Sequence, residues 1–194
     1  MTTPRVRRVE VPQVARTAGE FATADYASAF ELPSRHARSR TPEQWARATF
    51  EDAPAAVRWI LLRGWTLGLG LRMGPRPSPD HVLGWLVSES GPGSVTLDAS
   101  SPLVATRNVV VVNGSGVVWV TFVRFNRRVS RLVWSAAAPV HHLAVPYLLG
   151  RADRTRTAPQ GHESGSGRAP GLRRRPRPVG RRRPGRCPRR RRVR

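Results

Sequence analysis

The segment LVATRNVVVVNGSGVVWVTFVRF, residues 103–125, decides the fold. Two Val-rich runs, 103–113 and 116–125, flank Asn113-Gly114. An Asn-Gly pair between β-branched runs is the strongest short-range hairpin signal, and so short a connection requires antiparallel neighbours. In the second run Trp119, Thr121 and Val123 fall on one strand face, and Val120, Phe122 and Arg124 on the other. Thr121 is then a lone hydroxyl on an otherwise apolar face.

Upstream, WTLGLGLRM (65–73), HVLGWLVSE (81–89) and SVTLDAS (94–100) are further strand-like runs. They are set apart by the turn-forming stretches GPRPSPD, GPG and SP. The five runs predict one antiparallel meander. Before it, TPEQWARATF (41–50) carries a helix start, with Thr41 as cap, Pro42 in the first turn and Gln44 completing a capping box. EDAPAAVRWILLRG (51–64) predicts a second short helix, with Asp52 as cap, an apolar stripe of Ala56, Val57, Ile60 and Leu61, and Gly64 as its end. ADYASAFEL (24–32) fits either a strand or an Ala-rich helix. Residues 1–20 read as a loose lead-in with a short extended piece at RRVEV.

Downstream of Asn126 the period becomes helical. Trp134, Ala138, His141 and Val145 form one stripe, and Val133, Ala137, Val140 and Ala144 the adjacent one. So wide an apolar surface predicts burial along much of the helix, with Pro139 and Pro146 kinking or interrupting it. LVWSAAAPVHHLAVPYLLG (132–150) approaches membrane-spanning length, but its two prolines and two histidines argue against an integral membrane segment. The N-terminal residues lack the apolar stretch of a secretory signal, so the expected location is cytoplasmic.

The formal charge of +22 is unevenly placed. Residues 1–150 carry 17 Arg against 10 acidic residues, whereas residues 151–194 carry 17 Arg against one Asp and one Glu. The chain has no lysine, which points to a high-GC bacterial coding bias. A single cysteine, Cys187, excludes an intrachain disulfide and a cysteine-based metal cluster. Residues 153–194 are polar, Pro-rich and Arg-rich, and predict a disordered tail after a helix-and-sheet domain spanning 21–152. The tail reads either as a natural solvated extension or as the product of a reading-frame slip in GC-rich DNA.

Extended segment, two short helices, antiparallel meander and long C-terminal helix is the element order of an α+β helix-grip fold. The phrases DYASAFEL, EQWARATFEDAP, LGLRMGP, HVLGW, DASSPLVATRNVV, WVTFVRF and VWSAAAPVHHLAVPYLL carry the resemblance from about Ala24 to Asp153. Together they resemble an uncharacterised bacterial family, domain of unknown function 2867, in the START-like/SRPBCC (polyketide cyclase-like) superfamily. The resemblance implies a curved antiparallel sheet wrapped around the last helix, with two short helices after the first strand and often an apolar ligand cavity. It implies no established reaction, no cofactor and no catalytic residues. It also implies six strands after the helices where the residues give five, so either one run holds two strands or the sheet is trimmed.

Within that frame the expected partner is a small apolar or amphipathic molecule held between sheet and last helix. Candidate pocket residues are Trp85, Asp98, Arg107, Trp119, Thr121, Trp134 and His141. Asp98 stands near a strand end, where it orients either a ligand or a local turn, and Arg107 could pair with it. Adjacent histidines on a helix point about 100° apart, so His141 and His142 do not make a joint metal site through that element alone. No Gly-rich phosphate loop, paired-carboxylate motif or nucleophile elbow occurs, and no metal or cofactor is expected. The alternative function is non-specific binding of nucleic acid or another anionic surface through Arg173, Arg174, Arg175, Arg181, Arg182, Arg183, Arg189, Arg190, Arg191 and Arg192. Such a tail lacks the aromatic residues that stack on bases.

Overall fold

The computed structural model describes residues 5–16 and 21–157. Of the expected disordered tail, residues 153–157 are helical instead, and residues 158–194 lie outside this range. The fold is α+β. Seven strands, β1 (Arg7–Val9), β2 (Tyr26–Pro33), β3 (His81–Val82), β4 (Trp85–Ser90), β5 (Ser94–Ser100), β6 (Val104–Val112) and β7 (Gly116–Phe125), form one antiparallel sheet in the order β1-β2-β7-β6-β5-β4-β3. Two short helices, α1 (Pro42–Phe50) and α2 (Ala55–Arg63), follow β2, and α3 (Ser130–Thr157) closes the described chain. The long helix packs against the sheet and α1, which is a helix-grip arrangement.

The 103–125 hairpin forms as expected, from Val104↔Phe125 to Val112↔Val117. Its loop is held by the Asn113 side chain, whose Oδ1 accepts from the backbone N–H of Ser115 and of Gly116, both at 2.9 Å. Gly116 is required by close approach: a Cβ there would lie 2.2 Å from the Leu32 carbonyl oxygen of β2. The ambiguous ADYASAFEL segment is strand β2, paired with β7 from Tyr26↔Val123 to Pro33↔Gly116. The lead-in contributes the edge strand β1 and a single helical turn at Gln13–Ala15, with Ala15 fully buried.

Two expected elements differ. WTLGLGLRM is not a strand. The chain passes through Gly64 with ordinary helical angles (φ −60°) and continues as a wider helical turn over Gly64–Gly68, closed by Leu69 N–H to the Gly64 carbonyl. The alternation of Trp65, Leu67, Leu69 and Leu71 imitated a strand, but Trp65 and Leu69 also stand one helical turn apart. Reversal comes later, at Gly70 with φ +65°, after which Leu71 tucks into the core. HVLGWLVSE, in contrast, holds two strands. Leu83 (φ 47°) and Gly84 (φ 93°) make a tight turn between β3 and β4, with the two positive φ values of a twisted hairpin turn. One expected strand is lost and another divides, so the sheet still has five strands after the helices.

Helix α1 begins as expected: Thr41 Oγ1 accepts from the Gln44 N–H, and the Gln44 side chain accepts from the Thr41 N–H. Asp52 does not cap α2; Pro54 holds that position without a side-chain bond. Pro139 and Pro146 do not interrupt α3, which runs through both. Each proline removes a backbone donor. The helix is anchored beyond both prolines by Leu148, Leu149 and Ala152 in the core, between them by Val145, and before them by Trp134. It also extends past the expected domain end at residue 152. Ala152 is fully buried, and the Asp153 carboxylate accepts from Ser34 Oγ at 3.0 Å. By length and composition α3 is apolar enough to cross a membrane, yet these same residues pack it onto the sheet.

The expectation of burial along much of α3 is corrected. Leu132, Val140 and Leu143 are largely exposed, and so are Trp59 and Ile60 of α2. The sheet covers one side of α3 and nothing described covers the other. The two faces of the sheet bury different sets. Leu32, Leu97, Val110, Val117 and Trp119 face the helices, and Ala29, Val109, Val118, Val120 and Phe122 face the opposite side, where Ala15 and Phe21 pack.

Candidate functional site

A hollow of about 700 Å³ lies between the helix-facing side of the sheet and the α2 and α3 helices. The register of the sheet sets out its floor. Along β7, Trp119, Thr121 and Val123 face inward, opposite Phe30, Ser28 and Tyr26 of β2. On the other side Thr121 is opposite Asn108 of β6. Ser28, Thr121 and Asn108 therefore form one polar row across three strands, each at most 4% exposed.

The row is internally bonded. Asn108 Oδ1 accepts from Thr121 Oγ1 at 2.7 Å and from Trp119 Nε1 at 3.1 Å. Ser28 Oγ is 3.1 Å from His141 Nε2 of α3. Burial, and secondarily the neighbouring His142, lower the His141 pKa from 6.5 to about 4, so its ring is neutral at pH 7. His142 Nε2 meets the Tyr26 hydroxyl at 2.5 Å, and its pKa is lowered by burial and then by Arg8.

Aromatic clusters stand at both ends of the row. At one end Phe50 contacts Trp65, Trp85 and Trp119, with ring centroids 5.1, 6.4 and 4.9 Å away. At the other, Tyr26 lies 4.9 Å from Trp134, which in turn lies 5.7 Å from His141. The indole N–H groups of Trp85 and Trp134 are buried and have no acceptor among the described residues. The mouth is apolar, because Ile60 of α2 and Val140 of α3 both line the hollow and both are exposed.

Of the sequence candidates, the structure brings together Trp85, Trp119, Thr121, Trp134 and His141 around this hollow. It does not bring Asp98 or Arg107 there. These two are cross-strand partners on the opposite face of the sheet. Their side chains form a bidentate pair, Arg107 Nε to Asp98 Oδ1 at 2.8 Å and Nη2 to Oδ2 at 2.7 Å. The Arg107 guanidinium also lies 4.6 Å from the Phe21 ring centre, beside a smaller hollow of about 390 Å³. The reason is parity: Asn108 faces inward opposite Thr121, so its neighbour Arg107 must face outward.

Asn108, Ser28, Phe50 and Trp65 are the site residues that sequence reasoning missed. Asn108 was accessible in principle. Any hairpin register that pairs residue 108 with an inward position of the second run, 119 or 121, also turns Asn108 inward. Phe50 and Trp65 reach the hollow through a helix end and a wide helical turn, for which periodicity gives no signal. Among the described residues no group of three His, Cys, Asp or Glu side chains is placed to hold a metal ion. The ten tail arginines named above lie outside the described residues. Comparison of the chain with protein-family models, with curated proteins and with solved structures finds no match.

Proposed function

We propose that this chain is a START-like helix-grip domain that binds one small apolar or amphipathic molecule between the sheet and the last helix. The observation that carries the reading is the hollow of about 700 Å³, walled by tryptophans and opening between α2 and α3. Protein interiors normally pack with few voids larger than a water molecule. A space of this size lies in the range of small-molecule sites, which combine apolar walls with a few placed polar groups. The element order and the quoted sequence phrases support placement beside the family of domain of unknown function 2867. Native mass spectrometry of the protein, purified gently from bacterial cytosol, should show one extra small-molecule mass per chain that organic solvent removes. No retained mass, together with no binding across a broad lipid and metabolite panel, would count against the reading.

A second proposal rests on charge alone. The 17 arginines of residues 151–194 would attract polyanions without sequence preference. The full chain should retard duplex DNA at low salt and release it as salt rises, while a chain ending at Thr157 should not. Equal retention by the two chains would remove the tail from consideration.

A further inference from the structure

Resting on the cavity reading above, we infer that the site selects an uncharged apolar molecule carrying a carbonyl-type oxygen, which Asn108 binds through its side-chain amide N–H. The orientation of that amide is fixed by its two neighbours. Trp119 Nε1 is a donor only, so the Asn108 atom facing it at 3.1 Å must be the carbonyl oxygen. Thr121 Oγ1, 2.7 Å from the same atom, completes the fixation. The amide nitrogen is thereby directed elsewhere; it makes no hydrogen bond among the described residues and, unlike the two indole nitrogens, is not fully enclosed. Asn108 is only 4% exposed and lines the hollow.

Two further donors share the lining. The indole N–H groups of Trp85 and Trp134 are buried without acceptors. Buried polar groups in native proteins are nearly always bonded, and those left over call for an explanation such as a ligand. The two buried indole N–H groups and the Asn108 amide N–H are donors that a ligand acceptor would complement, while His141 Nδ1, also in the lining, donates or accepts according to the ring's tautomer. Other polar groups in the lining are already engaged: Thr106 Oγ1 donates to the Ala99 carbonyl, and Thr121 Oγ1 to Asn108. Among the described residues no charged side chain lines the hollow, so a fully ionised ligand group would find no counter-charge among them. Carbonyl oxygen on an apolar frame satisfies both conditions.

The test compares two dyes of the same shape: an acyl-aminonaphthalene, which carries a ketone, and the corresponding alkyl-aminonaphthalene, which does not. The inference expects the ketone to bind the full chain at least about 10-fold more tightly, the equivalent of roughly 1.4 kcal/mol. Asn108→Leu keeps a side chain of similar size at this position but removes the amide nitrogen from the lining. It should erase the ketone's advantage, read as the ratio of the two dyes' affinities measured on the same variant. Because this variant could fail to fold, the carbonyl stretch of the ketone bound to unmodified protein gives an independent readout. It should lie below its value in hydrocarbon solvent. Equal affinity of the two dyes, or a carbonyl stretch matching that in hydrocarbon, would overturn the inference while leaving the cavity reading intact. Binding of neither dye would overturn both.

Discussion

Replacing Trp119 by Ala should lower the free energy of unfolding by about 3–5 kcal/mol, the range for truncating a large buried aromatic side chain. Trp119 is fully buried on the inner face of β7. Its ring packs on Phe50, with centroids 4.9 Å apart, and its indole N–H bonds Asn108 at 3.1 Å. The substitution therefore removes an aromatic contact and a bonded donor together. It also opens new space beside a hollow that is already large, so collapse of neighbouring groups cannot readily refill it. Trp119→Phe keeps much of the ring but loses the donor, and should cost about half as much or less. Urea titration measures both. The expected result is a lower midpoint with an unchanged slope, since the surface exposed on unfolding changes little. A loss below about 1 kcal/mol for Trp119→Ala would mean that this side chain does not anchor the wall between the sheet and α1.

The second large effect is on acid stability. His141 has a folded-state pKa of about 4 against an ordinary value of 6.5. Between these values the unfolded chain binds the proton and the folded chain does not, so stability falls as pH falls through that window. The contribution is fully present above pH 6.5 and is lost by pH 4, about 3 kcal/mol in all. His141→Gln removes the titrating ring and retains a side chain able to reach Ser28. Chemical denaturation at pH 7 and at pH 4.5 should show wild type losing at least about 2 kcal/mol more than the variant. Equal losses would show that His141 is not held neutral by the sheet and helix around it.

The parts of this fold legible in the sequence are those written in local patterns. The Asn113-Gly114 turn between Val-rich runs, the Thr41–Gln44 capping box and the long apolar segment after Asn126 each specify an element through neighbouring residues. Segments governed by tertiary contacts were less legible. WTLGLGLRM has strand-like alternation, but its glycines leave little to pack in a sheet, and helical hydrogen bonding carries over from α2. Leu83 is an uncommon residue for a positive φ, which hid the β3–β4 turn. In α3 the whole apolar surface suggested burial, yet only the side bearing Trp134, Val145, Leu148 and Leu149 meets the sheet. What lies over its other side is not encoded in helical periodicity.

The candidate site shows the same division. Trp119 and Thr121 were recognisable because strand alternation places them on one face. Trp85 and Trp134 were recognisable as large aromatics in separate apolar segments. Asp98 and Arg107 were drawn in by their chemistry, but parity places them on the other side of the sheet, where they pair with each other. Asn108 adjoins Arg107 in sequence and occupies the opposite face, so one residue separates an outer ion pair from the polar row of the cavity.

The most direct test of a ligand cavity between sheet and helix is titration with an apolar fluorescent amine, N-phenyl-naphthylamine, against wild type and Ala137→Trp. Ala137 lies on α3 and lines the hollow, so an indole at this position would project into the space. Wild type should bind one dye per chain, with emission shifted to the blue. The variant should melt cooperatively within a few degrees of wild type and bind at least about 10-fold more weakly, a change of roughly 1.4 kcal/mol. Equal binding by a folded variant, or no saturable binding by wild type, would contradict a ligand site in this cavity.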